Sequence, residues 1–99
     1  MNSYQYRVTV EKLSDAKGES IHGQSLSFYT SNHDDILAIV ERLQVKLPFS
    51  AGTTAALGVG LKLLGEVALL HRGHPLFVEI HPALAGFIQQ LKQLPAISG

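Results

Sequence analysis

The sequence predicts an α+β domain: a two-stranded antiparallel β-hairpin packed against about three helices, in the order ββααα. Three observations carry this expectation. The N-terminal segment alternates apolar and polar side chains with a period of two. The rest of the chain places apolar residues at three- and four-residue spacing. Pro48, and then Gly73 with Pro75, cut that stretch into separate helices. At 99 residues the chain is read as one domain spanning 1–99, long enough to bury roughly 60–70% of its unfolded surface without staples.

In the first strand Tyr4, Tyr6, Val8 and Val10 alternate with Gln5, Arg7, Thr9 and Glu11, the pattern of a half-buried strand. Ser14–Ser20 is a polar connection rich in turn formers. A second strand is expected over Ile21–Thr30, with Leu26 and Phe28 on one face and Gly23 marking a bulge or delaying the start of pairing. Asn32 reads as the cap of the first helix, with Asp34 and Asp35 in its first turn, where the helix dipole favours negative charge. Ile36, Ile39, Val40, Leu43 and Leu47 make its apolar stripe, and Pro48 stops it.

The second helix is expected from Ser50 to His71 or Arg72, with Gly73 as a C′ residue and Pro75 preventing continuation. It is apolar nearly all round, so it belongs at the centre of the fold or in the seam of an oligomer. Gly58 and Gly65 fall on one side of it. Each costs about 1 kcal/mol relative to alanine in a helix interior, so both are expected to line a close approach by another backbone. Leu76–Ile80 reads as a short helical turn. Pro82 can open a last helix whose face carries Leu84, Phe87, Ile88, Leu91 and Leu94. The tail from about residue 95 is expected to fray.

Composition narrows the function classes. There is no cysteine, hence no disulfide or thiolate chemistry. Eight basic and eight acidic residues balance, which removes the electrostatic reason to expect nucleic acid or an anionic membrane as a partner. The N-terminal residues turn directly into a strand pattern and do not read as a signal peptide. The apolar run over 55–70 carries two charges and is short for a membrane span. Cytoplasmic localisation is therefore expected.

Several segments together resemble a known family. Tyr6-Arg-Val-Thr-Val-Glu11, Asn32-His-Asp-Asp35, Gly60-Leu-Lys-Leu-Leu-Gly-Glu-Val67, His71-Arg72, Pro75-Leu-Phe77 and the closing amphipathic helix are similar to the DUF3861 family of small bacterial proteins. The likeness covers almost the whole chain and rests chiefly on the central motif. It implies a small ββ-plus-helices domain of bacterial origin with no assigned function, and it supplies no catalytic residue.

The candidate chemistry is sparse. His71, His74 and His81 are the candidate metal ligands among five histidines. Gly73 and Pro75 break the helix that would align the first two, and no HExxH spacing is present. Capping at a helix end is the plainer reading, and no metal or cofactor is expected. Lys62 and Glu66 lie one turn apart on a narrow stripe of the apolar helix and form a possible functional charge pair. A lysine desolvated among leucines can act as base or nucleophile, but a structural pair or an interface device explains the same spacing. Ser50, Gly52, Thr53 and Thr54 could cradle an anion at a helix start, although ordinary capping accounts for them. The reading is a non-catalytic protein-interaction or self-associating module. The alternatives are a small-ligand or metal-binding protein using His71–His81 and an enzyme built around Lys62 and Glu66. A homodimer is expected, because a lone hairpin exposes unpaired edges. Pairing two hairpins about a two-fold axis would make a four-stranded sheet.

Overall fold

A computed structural model describes residues 2–96. Two antiparallel strands, β1 (Tyr4–Glu11) and β2 (Ser25–Asn32), precede three helices, α1 (Ile36–Gln44), α2 (Ala51–Leu70) and α3 (Ile80–Gln93), with a 3₁₀ turn at Pro75–Phe77. This is the ββααα order that the two periodicities require.

The hairpin pairs Tyr4 with Asn32 at its base and Glu11 with Ser25 toward its tip. Val8 therefore lies opposite Phe28 and Val10 opposite Leu26, so one face is apolar. Gln5, Arg7, Thr9 and Glu11 meet Ser31, Tyr29, Ser27 and Ser25 on the other. The second strand begins later and ends later than the expected Ile21–Thr30. The delay has a local cause: Gly23 sits at φ +82°, a left-handed turn that breaks the extended run. In the connection, Asp15 Oδ1 accepts from the backbone N–H groups of Lys17 and Glu19, both at 2.9 Å, and Gly18 takes φ +88°.

The expected capping of α1 is corrected. Asn32 remains in the strand and is buried, and Asp35 is the cap, accepting from the Ala38 N–H at 3.2 Å. Asp34 and Asp35 thus both precede the helix rather than occupying its first turn. Ser50 caps α2 by accepting from the Thr53 N–H at 3.2 Å. At the other end His71 is the C-cap, and Arg72 Nη1 donates to the Leu69 carbonyl at 3.1 Å. Gly73 does not take the left-handed conformation expected of a C′ glycine, since positive φ is confined to Gly18 and Gly23 among the described residues. The short turn begins at Pro75 rather than Leu76, and α3 begins at Ile80. Pro82 is consequently its third residue, still within the first turn, where no intrahelical N–H bond is lost. Beyond α3, Pro95 and Ala96 are non-helical; the rest of the expected frayed tail, residues 97–99, lies outside the described residues.

The core is small and sits between α1 and α2. Its buried side chains are Ile36 and Leu43 of α1, Leu47 just after it, and Leu61 and Ala68 of α2, with Thr54 of α2 fully buried as well. Gly58 permits the α1–α2 contact: a Cβ there would lie 3.0 Å from Val40 Cγ2 and 3.3 Å from Leu43 Cδ1. Gly65 does not share that role, because nothing comes within 4 Å of a Cβ built on it. At Gly65 a cleft opens instead, lined by α2, α3 and the strand–helix junction. α3 lies on α2 through half-buried His81, Leu84, Ile88 and Leu91, while Phe87, expected on the same face, is 40% exposed.

Candidate functional site

The strand–helix junction at Asn32–Asp35 is held to the middle of α2 by a cluster of polar contacts. Asn32 Nδ2 donates to the Lys62 carbonyl at 3.0 Å, and its Oδ1 accepts from the Asp34 N–H at 3.0 Å. Tyr6, from the first strand, donates its hydroxyl to the Asp34 carbonyl at 2.8 Å and accepts from the Ile36 N–H at 2.9 Å. Every backbone group of this tight turn that these side chains reach is thereby satisfied.

One ion pair and one histidine–carboxylate contact lie on the same junction. Lys62 Nζ donates to Asp34 Oδ2 at 3.0 Å. Glu66 accepts from the His33 backbone N–H at 3.2 Å, and its two oxygens lie 2.8 and 3.1 Å from His33 Nδ1. The pairing expected from sequence, Lys62 with Glu66, is corrected: among the described residues they form no ion pair with each other. Each reaches back to a consecutive residue of the junction. In both pairs the α2 end is covered and the junction end is wet. Side-chain exposure is 15% for Lys62 against 50% for Asp34, and 11% for Glu66 against 47% for His33.

The roles of His33 and Asp34 were not visible in the sequence, where Asp34 was accounted for by the helix dipole and His33 carried no signal beyond its place at a helix start. The signal that could have found them is on α2. Two charges on a helix apolar on every side require partners from another element, and Asn32–Asp35 is the polar, carboxylate-bearing segment nearest in the fold.

Beside the cluster, α2 and α3 enclose a cleft of about 160 Å³. Lys62, Glu66 and His81 stand at its polar side, Leu61, Leu84 and Ile88 form its apolar wall, and Gly65 leaves its floor open. A second groove of about 240 Å³ runs between α1 and α3 on the other side of Lys62. The arrangement can orient a small molecule between apolar walls. Its charged groups are engaged with one another, which makes them struts joining the hairpin to the helices.

The three candidate metal ligands are brought only partly together. His74 Nδ1 accepts from the Leu76 N–H at 3.1 Å and so caps the 3₁₀ turn. The His71 ring stacks on Phe77 at 6.5 Å, and the His74 ring meets the same phenyl edge-on at 6.3 Å. His81 faces the cleft instead. Among the described residues no group of three or more His, Asp or Glu is arranged to hold a metal ion.

Fold and junction together define a small ββααα domain in which an apolar helix is clasped through paired charges to a two-stranded hairpin. The chain belongs to the DUF3861 family: the family model described as "Domain of Unknown Function with solved-structure structure (DUF3861)" matches residues 4–93. It is similar to a crystallised protein of unknown function from Pectobacterium atrosepticum SCRI1043, at 36% identity and a TM-score of 0.80, covering 93% of this chain and 99% of that one. No protein of curated function matches the sequence.

Proposed function

We propose that this protein is a non-catalytic, self-associating interaction module, and that its association surface is the outer face of α2. The observation that carries this reading is the character of that face. On the side of the helix opposite Thr54, Gly58 and Leu61 stand Gly52, Ala56, Gly60, Leu64, Val67 and Leu70, all exposed and none charged. A helix face that meets only water is normally polar, and a contiguous exposed apolar patch marks an interaction site. Gly60 adds to the case. It weakens the helix by about 1 kcal/mol relative to alanine, yet among the described residues nothing approaches within 4 Å of a Cβ built there. A surface from another molecule would use the space that the monomer leaves empty.

By length and composition α2 could cross a membrane. Lys62 and Glu66 at mid-helix, and their ties to Asp34 and His33, support a protein-covered face over a lipid-covered one, since each charge at the centre of a bilayer costs about 3 kcal/mol or more. The engagement of Lys62 with Asp34 and of Glu66 with His33 supports a structural role over a catalytic one. The cysteine-free chain fits a reducing compartment.

Sedimentation velocity on the double variant Leu64→Lys, Val67→Glu tests the reading. The variant is expected to keep its helical circular dichroism while shifting to a smaller sedimenting species than the unmodified protein. An unmodified protein and variant that sediment identically at every concentration would contradict it.

A further inference from the structure

We propose, resting on the self-association reading above, that the β1–β2 hairpin is an arm that each protomer lays across the outer face of α2 of a second copy. The hairpin is fixed at its base and free at its tip. Tyr6 and Asn32 anchor the base to the junction and to α2. Toward the tip its apolar face becomes steadily barer: Val8 is half-buried, Phe28 is 38% exposed, and Val10 and Leu26 are 61% exposed. An apolar sheet face is stable only against another layer, and among the described residues none covers the tip.

The dimensions of the whole molecule point to the same missing layer. Its radius of gyration is 15.8 Å, where a compact chain of this length has about 13 Å. Its accessible surface is 7474 Å², where a monomeric protein of this mass exposes about 5,500 Å². The excess, about 2,000 Å² per chain, is what a protomer of an obligate homodimer covers, since such interfaces bury roughly 2,000–5,000 Å² in total.

The two bare surfaces match in size and chemistry. Strands of eight residues extend about 26 Å, and two of them side by side are about 10 Å wide. α2, with twenty residues, is about 30 Å long and about 10 Å wide. The outer face of α2 carries no charge, and the charge next to Val10 on the hairpin face is exposed Lys12 at the tip, whose long side chain keeps its ammonium in water. The small residues Gly52, Ala56 and Gly60 leave room for a sheet to settle on the helix. Pairing of hairpin edges alone would complete backbone hydrogen bonds but leave Val10, Leu26, Phe28 and the α2 face in water, so it does not account for the excess surface. A two-fold exchange of arms covers both surfaces twice.

The absence of cysteine gives a direct test. Leu26→Cys and Leu64→Cys are made as separate variants at exposed positions, mixed, allowed to exchange subunits and treated with a short bismaleimide. Crosslinked peptides are then identified by mass spectrometry. The expected result is a covalent dimer joining position 26 of one chain to position 64 of the other, in at least tenfold excess over same-site products. Dominant 26–26 or 64–64 products in a dimeric sample would overturn the arm while leaving self-association intact. An untreated protein that stays monomeric on concentration would overturn both. So would a monomer that floats with phosphatidylcholine vesicles, because it would assign the α2 face to lipid.

Discussion

Asn32 is a buried polar side chain that ties β2 to both α2 and the turn into α1. It is 2% exposed, bridges the end of β2 to the Lys62 carbonyl, and holds the Asp34 N–H in place for the turn into α1. Truncation would leave an unpaired N–H at a covered site and loosen the junction on which the Lys62–Asp34 and Glu66–His33 contacts depend. Asn32→Ala is therefore expected to lower stability by roughly 1–3 kcal/mol, measured by chemical denaturation. A change of only a few tenths would mean that the junction is held by other contacts. At this scale the sequence was a partial guide. Lys62 and Glu66 stood out because charge on an apolar helix is conspicuous. Their partners did not, because His33, Asp34 and Asn32 also satisfy every local rule for a helix start, and local rules carry no information about residues thirty positions away.

At the scale of elements, the two glycines of α2 separate packing from propensity. Gly58 faces Val40 and Leu43 at contact distance, whereas Gly65 faces open cleft. Gly58→Leu should overpack the α1–α2 contact and cost roughly 1–3 kcal/mol. Gly65→Ala should instead stabilise the helix by about 0.5–1 kcal/mol. Thermal melts of the two variants moving in the same direction would contradict this division. The hairpin and all three helices were legible because alternation and helical spacing are written directly into Tyr4–Val10, Ile36–Leu47 and Leu84–Leu91. Boundaries were less so. β2 shifted because one positive-φ glycine at 23 decided where pairing could begin, and α3 starts two residues before Pro82 because a proline in the first turn does not have to be first. Gly65 was misread because spacing places two residues on one face but does not say how long a neighbouring helix stays there.

At the scale of the whole molecule, the chain described here has more surface than its mass requires. Among the described residues the buried apolar side chains are few and come from α1, the segment just after it and α2, α3 contributes only half-buried ones, and the apolar faces of α2 and of the hairpin tip look outward. The sequence foretold the apolar girth of α2 but not which side would stay bare, since that depends on where α1 and α3 land. Self-association is the central claim, and the mass of the unmodified protein in solution tests it most directly. Multi-angle light scattering behind size exclusion, at loading concentrations from micromolar upward, is expected to give twice the 10.7 kDa chain mass. A single species at the chain mass, unchanged across the whole concentration range, would contradict it.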